Sequence, residues 1–432
     1  LLKYFTDLAT AIGILLLVMA TNIIQYISID SAMSHSYIFP LYVLIIYLTI
    51  KWHSKPSIVW ASLIGLVIGL ATICRPTEII MLFIPLLWNT HTKQANKTKW
   101  NQVKLNYNHI VYVLIFGFIG ILPQLIYWKY TSGSFIYDVG SKWTFLNPFF
   151  RVLFGWENGW FIYTPITILF VVGLFFIKKF PFKNAILVFC LLNIWIIISW
   201  FDWKYGATYS TRALVQSYPV FAFPFTAIIE RILQKKWRFF FYLLGGYLIY
   251  VNLFQLKQYF NTVLHFRDMN RQYYSRIYLN KNPTPLDMSL LDTDEILFDE
   301  NHYQKDLIKS IDSIVNISAN NNSIGIITTA SLGNNLTKLP IDKWLKIEST
   351  LKAKTNFHGS YLNCKIQCKD SIKQKKIRLF SPVSQPGQYN NYEFYVKIPA
   401  DFNSFDFDLF ISSKNKFRAD IKQLKVYYLT KE

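Results

Sequence analysis

Apolar residues dominate the chain up to about Tyr259 and then give way to a mixed, polar pattern. In the first part they form long runs with few charges, and a run near 20 residues is long enough to cross a ~30 Å hydrocarbon layer. Nine such runs are read at about 8–27, 36–51, 56–74, 77–89, 110–128, 160–177, 184–200, 214–232 and 239–258. The pattern therefore predicts a polytopic α-helical membrane part of nine spans. Beyond residue 343 the period falls to two. In "WLKIESTLKAK" Leu345, Ile347 and Leu351 share one face while Lys346, Glu348 and Thr350 share the other. "YNNYEFYVKIP", "FDFDLFI" and "KQLKVYYL" alternate in the same way. Half-buried strands bounded by Pro, Gly and Asn, with no strong helices between them, predict an all-β sandwich of the jelly-roll kind.

The domain reading follows from these two periods. Residues 1–259 form the membrane helical part and 260–292 an interfacial connector rich in aromatics and arginines. Residues 293–342 are a mixed linker with a helix candidate in "YQKDLIKSIDSIV", and 343–432 are the β-sandwich. Composition adds a net charge of +20, which by itself could suggest nucleic acid. Its distribution points elsewhere. Alternate turns hold Lys51, Lys55, Lys93, Lys97, Lys99, Lys104, Lys178, Lys179 and Lys183 with almost no acids, and the other turns are nearly balanced. Lys/Arg excess marks cytoplasmic loops, so the charge reads as topology and no nucleic-acid partner is expected. The balanced turns and the sandwich are then extracytoplasmic, or periplasmic, at a cell (inner) membrane. Cys364 and Cys368 would lie about 13 Å apart on one strand, too far for a bridge. No cofactor is expected, and whether a divalent metal is needed is not legible in the sequence.

The mixed-sign, aromatic-rich turns hold the candidate chemistry. Arg75 and Glu78 interrupt an apolar run at a proline, where a charge normally faces a cavity or a partner. A guanidinium there offers a planar fork for an anionic phosphate, although mutual neutralisation explains the pair as well. "WFDWKYGATYSTRALVQSYP" packs Asp202, Lys204, Tyr205 and Arg212 among tryptophans and tyrosines. Asp30 lies beyond the end of the first run with His35 five residues on, and Glu157 sits in "FGWENGW". A carboxylate at such a mouth could act as general base or simply cap a helix.

The stretches "DSAMSHSYIFPLYVLIIYL", "GLVIGLATICRPTEIIMLFIPLLW", "VLFGWENGWFIYTPITILFVVGL" and "WFDWKYGATYSTRALVQSYPVFAFPF" together resemble integral-membrane glycosyltransferases of the C-type superfamily, nearest the family 39-like branch. The resemblance runs from residue 8 to about 280 and implies inverting transfer of a sugar from a polyprenyl-phosphate donor to an extracytoplasmic glycan, lipid or protein. It implies that Arg75, Lys204 and Arg212 hold the donor phosphate, and that His35, Glu78, Glu157, Asp202 and Tyr205 contact substrate. Asp30 is the candidate catalytic acid of this chain. The family's principal carboxylate belongs to a first outer loop that has no counterpart here, so an N-terminal part is expected to be missing from this sequence. Two other classes fit the pattern: a transporter or flippase of lipid-linked sugars, and a non-catalytic scaffold displaying the sandwich.

Overall fold

The computed structural model describes residues 1–137, 140–295, 297, 299–319, 324–332, 342–382 and 384–431. The chain divides into two compact units, 1–259 and 260–432, each with its own hydrophobic core.

The first unit is helical: α1 (Asp7–Met19), α2 (Ser34–Ser54), α3 (Ile58–Cys74), α4 (Phe83–Leu87), α5 (Lys93–Leu105), α6 (Asn108–Ser132), α7 (Arg151–Phe154), α8 (Trp160–Tyr163), α9 (Ile168–Gly173), α10 (Lys183–Ile198), α11 (Tyr218–Leu233) and α12 (Arg238–Phe260). Local signals explain several of the ends. Ser57 caps α3 by accepting from the Trp60 amide at 3.3 Å, and Thr92 caps α5 through the Ala95 amide at 3.1 Å. At the far end of α3, Pro76 disfavours helical geometry in the residue before it, and Arg75 is extended at φ −152°.

These helices overturn the nine-span reading; the chain is not a nine-span membrane protein. Among the described residues, three stretches are long and apolar enough to cross a membrane: Asn108–Ser132, Arg212–Leu233 and Arg238–Phe260. Most of the other expected spans are too short or broken, while α2, continuous over 21 residues, is not among the three. Run 8–27 ends as helix at Met19 and continues into a π-type turn, Gln25–Ile29. Run 77–89 is a 3-10 segment, Pro76–Leu82, followed by the five-residue α4. Run 160–177 is split at Pro165 into α8, a 3-10 turn and α9. Much of the apolar content that suggested lipid contact instead packs protein on protein: the Arg212–Leu233 stretch is 89% buried by its neighbours. With the spans gone, the alternation of turns between two sides no longer follows.

The second unit begins with α13 (Arg271–Ile277) and α14 (Pro285–Ser289), the latter started by a Thr284–Asp287 capping box. Among the described residues nine strands follow: β1 (Gln304–Ile311), β2 (Val315–Ala319), β3 (Ile324–Leu332), β4 (Lys343–Ala353), β5 (Ser360–Cys368), β6 (Ser371–Arg378), β7 (Tyr389–Ile398), β8 (Phe405–Ser413) and β9 (Phe417–Thr430). One sheet runs β1-β9-β4-β7, with β2 pairing the other half of β9; the second runs β3-β8-β5-β6. All pairings are antiparallel. Leu345, Ile347, Val396, Phe407, Leu409 and Val426 fill the space between the sheets. The helix candidate at 303–315 is instead β1 and the first residue of β2. Cys364 and Cys368 both lie on β5 and are free thiols.

Candidate functional site

The break after α3 sets the site. Extended backbone at Arg75 turns its side chain toward the start of α2, where Nε donates to Ser34 Oγ at 3.0 Å and Nη2 to His35 Nε2 at 3.1 Å. His35 is buried, and its Nδ1 meets Gln216 Oε1. The Gln216 amide donates to Glu78 Oε1 at 2.7 Å, and the Tyr42 hydroxyl donates to Glu78 Oε2. Among the described residues no ion pair joins Arg75 to Glu78. The two charges are linked instead through an imidazole and an amide.

Arg212 enters from the other side. The loop before it uses left-handed backbone at Tyr205 (φ 54°), Gly206 (φ 66°) and Ser210 (φ 55°) to fold tightly. Arg212 then opens a 3-10 turn, Arg212–Ser217, that leads into α11. Its Nη1 donates to the Ala207 carbonyl at 3.3 Å and approaches Met33 Sδ at 3.5 Å, while its buried Nε has no partner among the described residues. The Tyr205 hydroxyl donates to the Ile197 carbonyl at 2.5 Å, and its ring centroid lies 4.6 Å from that of Trp200. Trp143 is laid beside Trp200 by an isolated antiparallel bridge.

Arg75, Glu78, Tyr205 and Arg212 line one cavity of ≈ 240 Å³, with Trp143, Trp200, Asn193 and Gln216 among its other wall residues. His35 does not line it but holds Arg75 from behind. The remaining candidates are elsewhere. Asp30 accepts from Gln25 Nε2 at 2.7 Å at the end of the π-type turn. The Lys204 carbonyl accepts from Asn158 at 2.8 Å, and its ammonium lies 5.6 Å from the Trp203 ring centroid. The Asp202 carbonyl closes a turn with the Tyr205 amide. Glu157 folds back beside Gly155. None of these four lines the cavity.

Sequence reasoning missed Tyr42, Gln216, Asn193 and Trp143. Gln216 and Asn193 are single amides in otherwise apolar runs, "RALVQS" and "CLLNIWIII", and that isolation was the available signal. Chemically, two guanidiniums on aromatic walls make a receptor for an anion attached to a flat or apolar body. The Glu78 carboxylate already has both oxygens engaged and acts as a scaffold rather than an open base.

No family model matches the chain, and no curated protein matches it either. Among solved structures, the VP2 subviral particle of infectious bursal disease virus is 12% identical at a TM-score of 0.22, covering 32% of this chain and 38% of its own. The Gx strain of the same virus gives 10% identity and a TM-score of 0.21 over 29% of this chain and 32% of its own. The chain thus spans about a third of the length of these viral structures. Dimeric latent PorU from Porphyromonas gingivalis is 10% identical at a TM-score of 0.17, over 29% of this chain and 13% of that one. Likenesses this slight carry no argument about fold or activity.

Proposed function

We propose that the chain is a membrane-attached glycosyltransferase that takes a sugar from a polyprenyl-phosphate donor and passes it to a hydroxyl-bearing acceptor. The observation that supports this reading is the common cavity of Arg75 and Arg212. In such a transfer the acceptor oxygen bonds to the anomeric carbon while the bond from that carbon to the phosphate oxygen breaks. The electron pair leaves with the phosphate, and the proton of the acceptor hydroxyl passes to the released phosphate or to water. Fixed cations at the departing anion lower the barrier where charge develops, and Trp143, Trp200 and Tyr205 supply faces for the sugar or the first isoprene units. A lipid donor requires a lipid boundary. The apolar α6, in whose 18-residue apolar window only 6% of the residues are buried, suits attachment to one.

Transfer of radiolabelled sugar from a polyprenyl-phosphate donor tests the assignment. Arg75→Ala and Arg212→Ala are each expected to lower the rate by roughly a hundredfold, the usual consequence of removing one charge-stabilising donor. Full activity in both variants would remove the phosphate role.

A further inference from the structure

The wall of the arginine cavity holds a polar group with no part yet in the proposed transfer. Asn193, Ile196 and Ile197 line the cavity from α10 at positions i, i+3 and i+4, so one face of that helix looks onto it. Asn193 is 3% exposed. The other buried polar side chains of the wall are fully engaged: both oxygens of Glu78 accept hydrogen bonds, and both ends of the Gln216 amide are used.

Asn193 is engaged on one side only. Its Nδ2 lies 2.9 Å from Ser217 Oγ. That hydroxyl gives its proton to the Leu214 carbonyl at 2.7 Å, so toward Asn193 it can only accept. The amide is thereby oriented. Its NH2 faces Ser217, which does not line the cavity, and Oδ1 takes the other branch. The Trp200 indole nitrogen in the same wall is both partnerless and enclosed; Asn193 Oδ1 has no partner among the described residues but is not enclosed. The link to Ser217 needs the NH2 alone, which leaves the oxygen for a ligand.

We infer that Asn193 is a specificity-determining residue whose Oδ1 accepts one hydroxyl of the sugar whose phosphate sits at Arg75 and Arg212. This rests on the reading of the cavity as a sugar-phosphate site and adds a direction to it. The sugar lies inward against α10, and the lipid leaves past Trp143 and the exposed Ser141 and Pro76 at the rim. Ile196 and Ile197 beside the acceptor disfavour a charged donor such as an ammonium, so a neutral hydroxyl is the group selected. A sugar lacking that hydroxyl strips water from Oδ1 and gives nothing back, which weakens binding by at least about fivefold.

Calorimetric titration of the full chain with glucose 1-phosphate and its 2-, 3-, 4- and 6-deoxy analogues tests this, since the parent carries a hydroxyl at each of those positions. At least one analogue is expected to bind about fivefold or more weakly than the parent. In Asn193→Leu that analogue and the parent are expected to bind alike, while Arg75→Ala weakens every probe. Should Asn193→Leu fail to fold, 13C spectra of the unaltered protein decide: the Asn193 Cγ resonance is expected to move with the parent and not with the weak analogue. Equal binding of all five probes, a loss that survives in Asn193→Leu, or a Cγ resonance that the parent leaves in place overturns the role of Asn193 alone. No binding of any probe overturns the sugar-phosphate reading together with it.

Discussion

Glu78 is 2% exposed, a position where a carboxylate without partners would be expensive. Its two oxygens accept from Tyr42 and Gln216, and this fixes more than Glu78 itself. Because the Gln216 amide donates to Glu78, its oxygen is the atom left to face His35. His35 must then carry its proton on Nδ1 and offer the Nε2 lone pair to Arg75. The orientation of the cavity's guanidinium is thus ordered by a residue two partners away. Glu78→Gln removes the order, because an amide can face Gln216 either way round. The expected outcome is a mixed His35 tautomer in 15N spectra and, on the proposed reaction, a raised KM for the lipid donor; a single unchanged tautomer would show that the chain does not transmit orientation. Arg75 and Glu78 were legible because they interrupt an apolar run. Their division of labour was not, since Tyr42 and Gln216 join them only in three dimensions.

A second charge cluster shows at the same scale what pH should do. On the outer face of the sandwich, Lys346 meets Glu300 at 2.8 Å, Glu348 at 2.9 Å and Glu393 at 3.3 Å. Partial burial pushes the Glu300 carboxyl up, but hydrogen bonds from Lys346, Tyr395 and Lys305 outweigh it and hold the group down at about 2. A carboxyl depressed below its ordinary 4.5 contributes stability that is complete above that value and is lost as the pH falls through about 2. Glu300→Gln is therefore expected to flatten the dependence of the sandwich's urea midpoint on pH between 4.5 and 2. An unchanged slope would mean that the cluster is screened by solvent.

At the scale of elements, α3 and α6 pack along glycines. A Cβ added at Gly65 would fall 2.2 Å from the Val113 carbonyl oxygen, and one at Gly69 would fall 2.3 Å from that of Gly117. Backbone cannot yield as a flexible side chain can, so Gly69→Ala is expected to cost about 1–3 kcal/mol, read as a lower thermal midpoint. No loss would mean that the two helices can separate without penalty. The element scale also shows where sequence period informs and where it misleads. Strict alternation located β4, β7, β8 and β9, because each buries one face against the opposite sheet. It failed at β1: Leu307, Ile308 and Ile311 satisfy a helical spacing, yet among the described residues this edge strand pairs only with β9 and leaves Leu307 54% exposed, so no buried face imposed a period of two. Apolar runs likewise did not measure helix length. Pro76 and Pro165 break runs that hydropathy reads as continuous, and a helix surrounded by protein is as apolar as one surrounded by lipid.

For the whole molecule, that last equivalence decides how the proposed membrane attachment must be tested. The three candidate spans differ in what they offer to a bilayer. Arg212–Leu233 is already wrapped by its neighbours, whereas in the apolar windows of Arg238–Phe260 and Asn108–Ser132 only 33% and 6% of the residues are buried. Attachment therefore rests chiefly on α6. One face of that helix, through Gly117 and Gly120, is taken by α3, while Leu114 and Phe118 are 68% and 57% exposed on the other. Exposed apolar residues in such number are unusual for a surface in water. The unaltered chain is expected to stay in the membrane pellet after alkaline carbonate extraction. The double substitution Leu114→Glu with Phe118→Glu puts two charges on the outward face and none against α3, so it is expected to weaken retention while leaving the glycine packing intact. Complete release of the unaltered chain would remove the lipid boundary from the proposal, and with it the polyprenyl donor. The arginine cavity would then read as a receptor for a soluble anion.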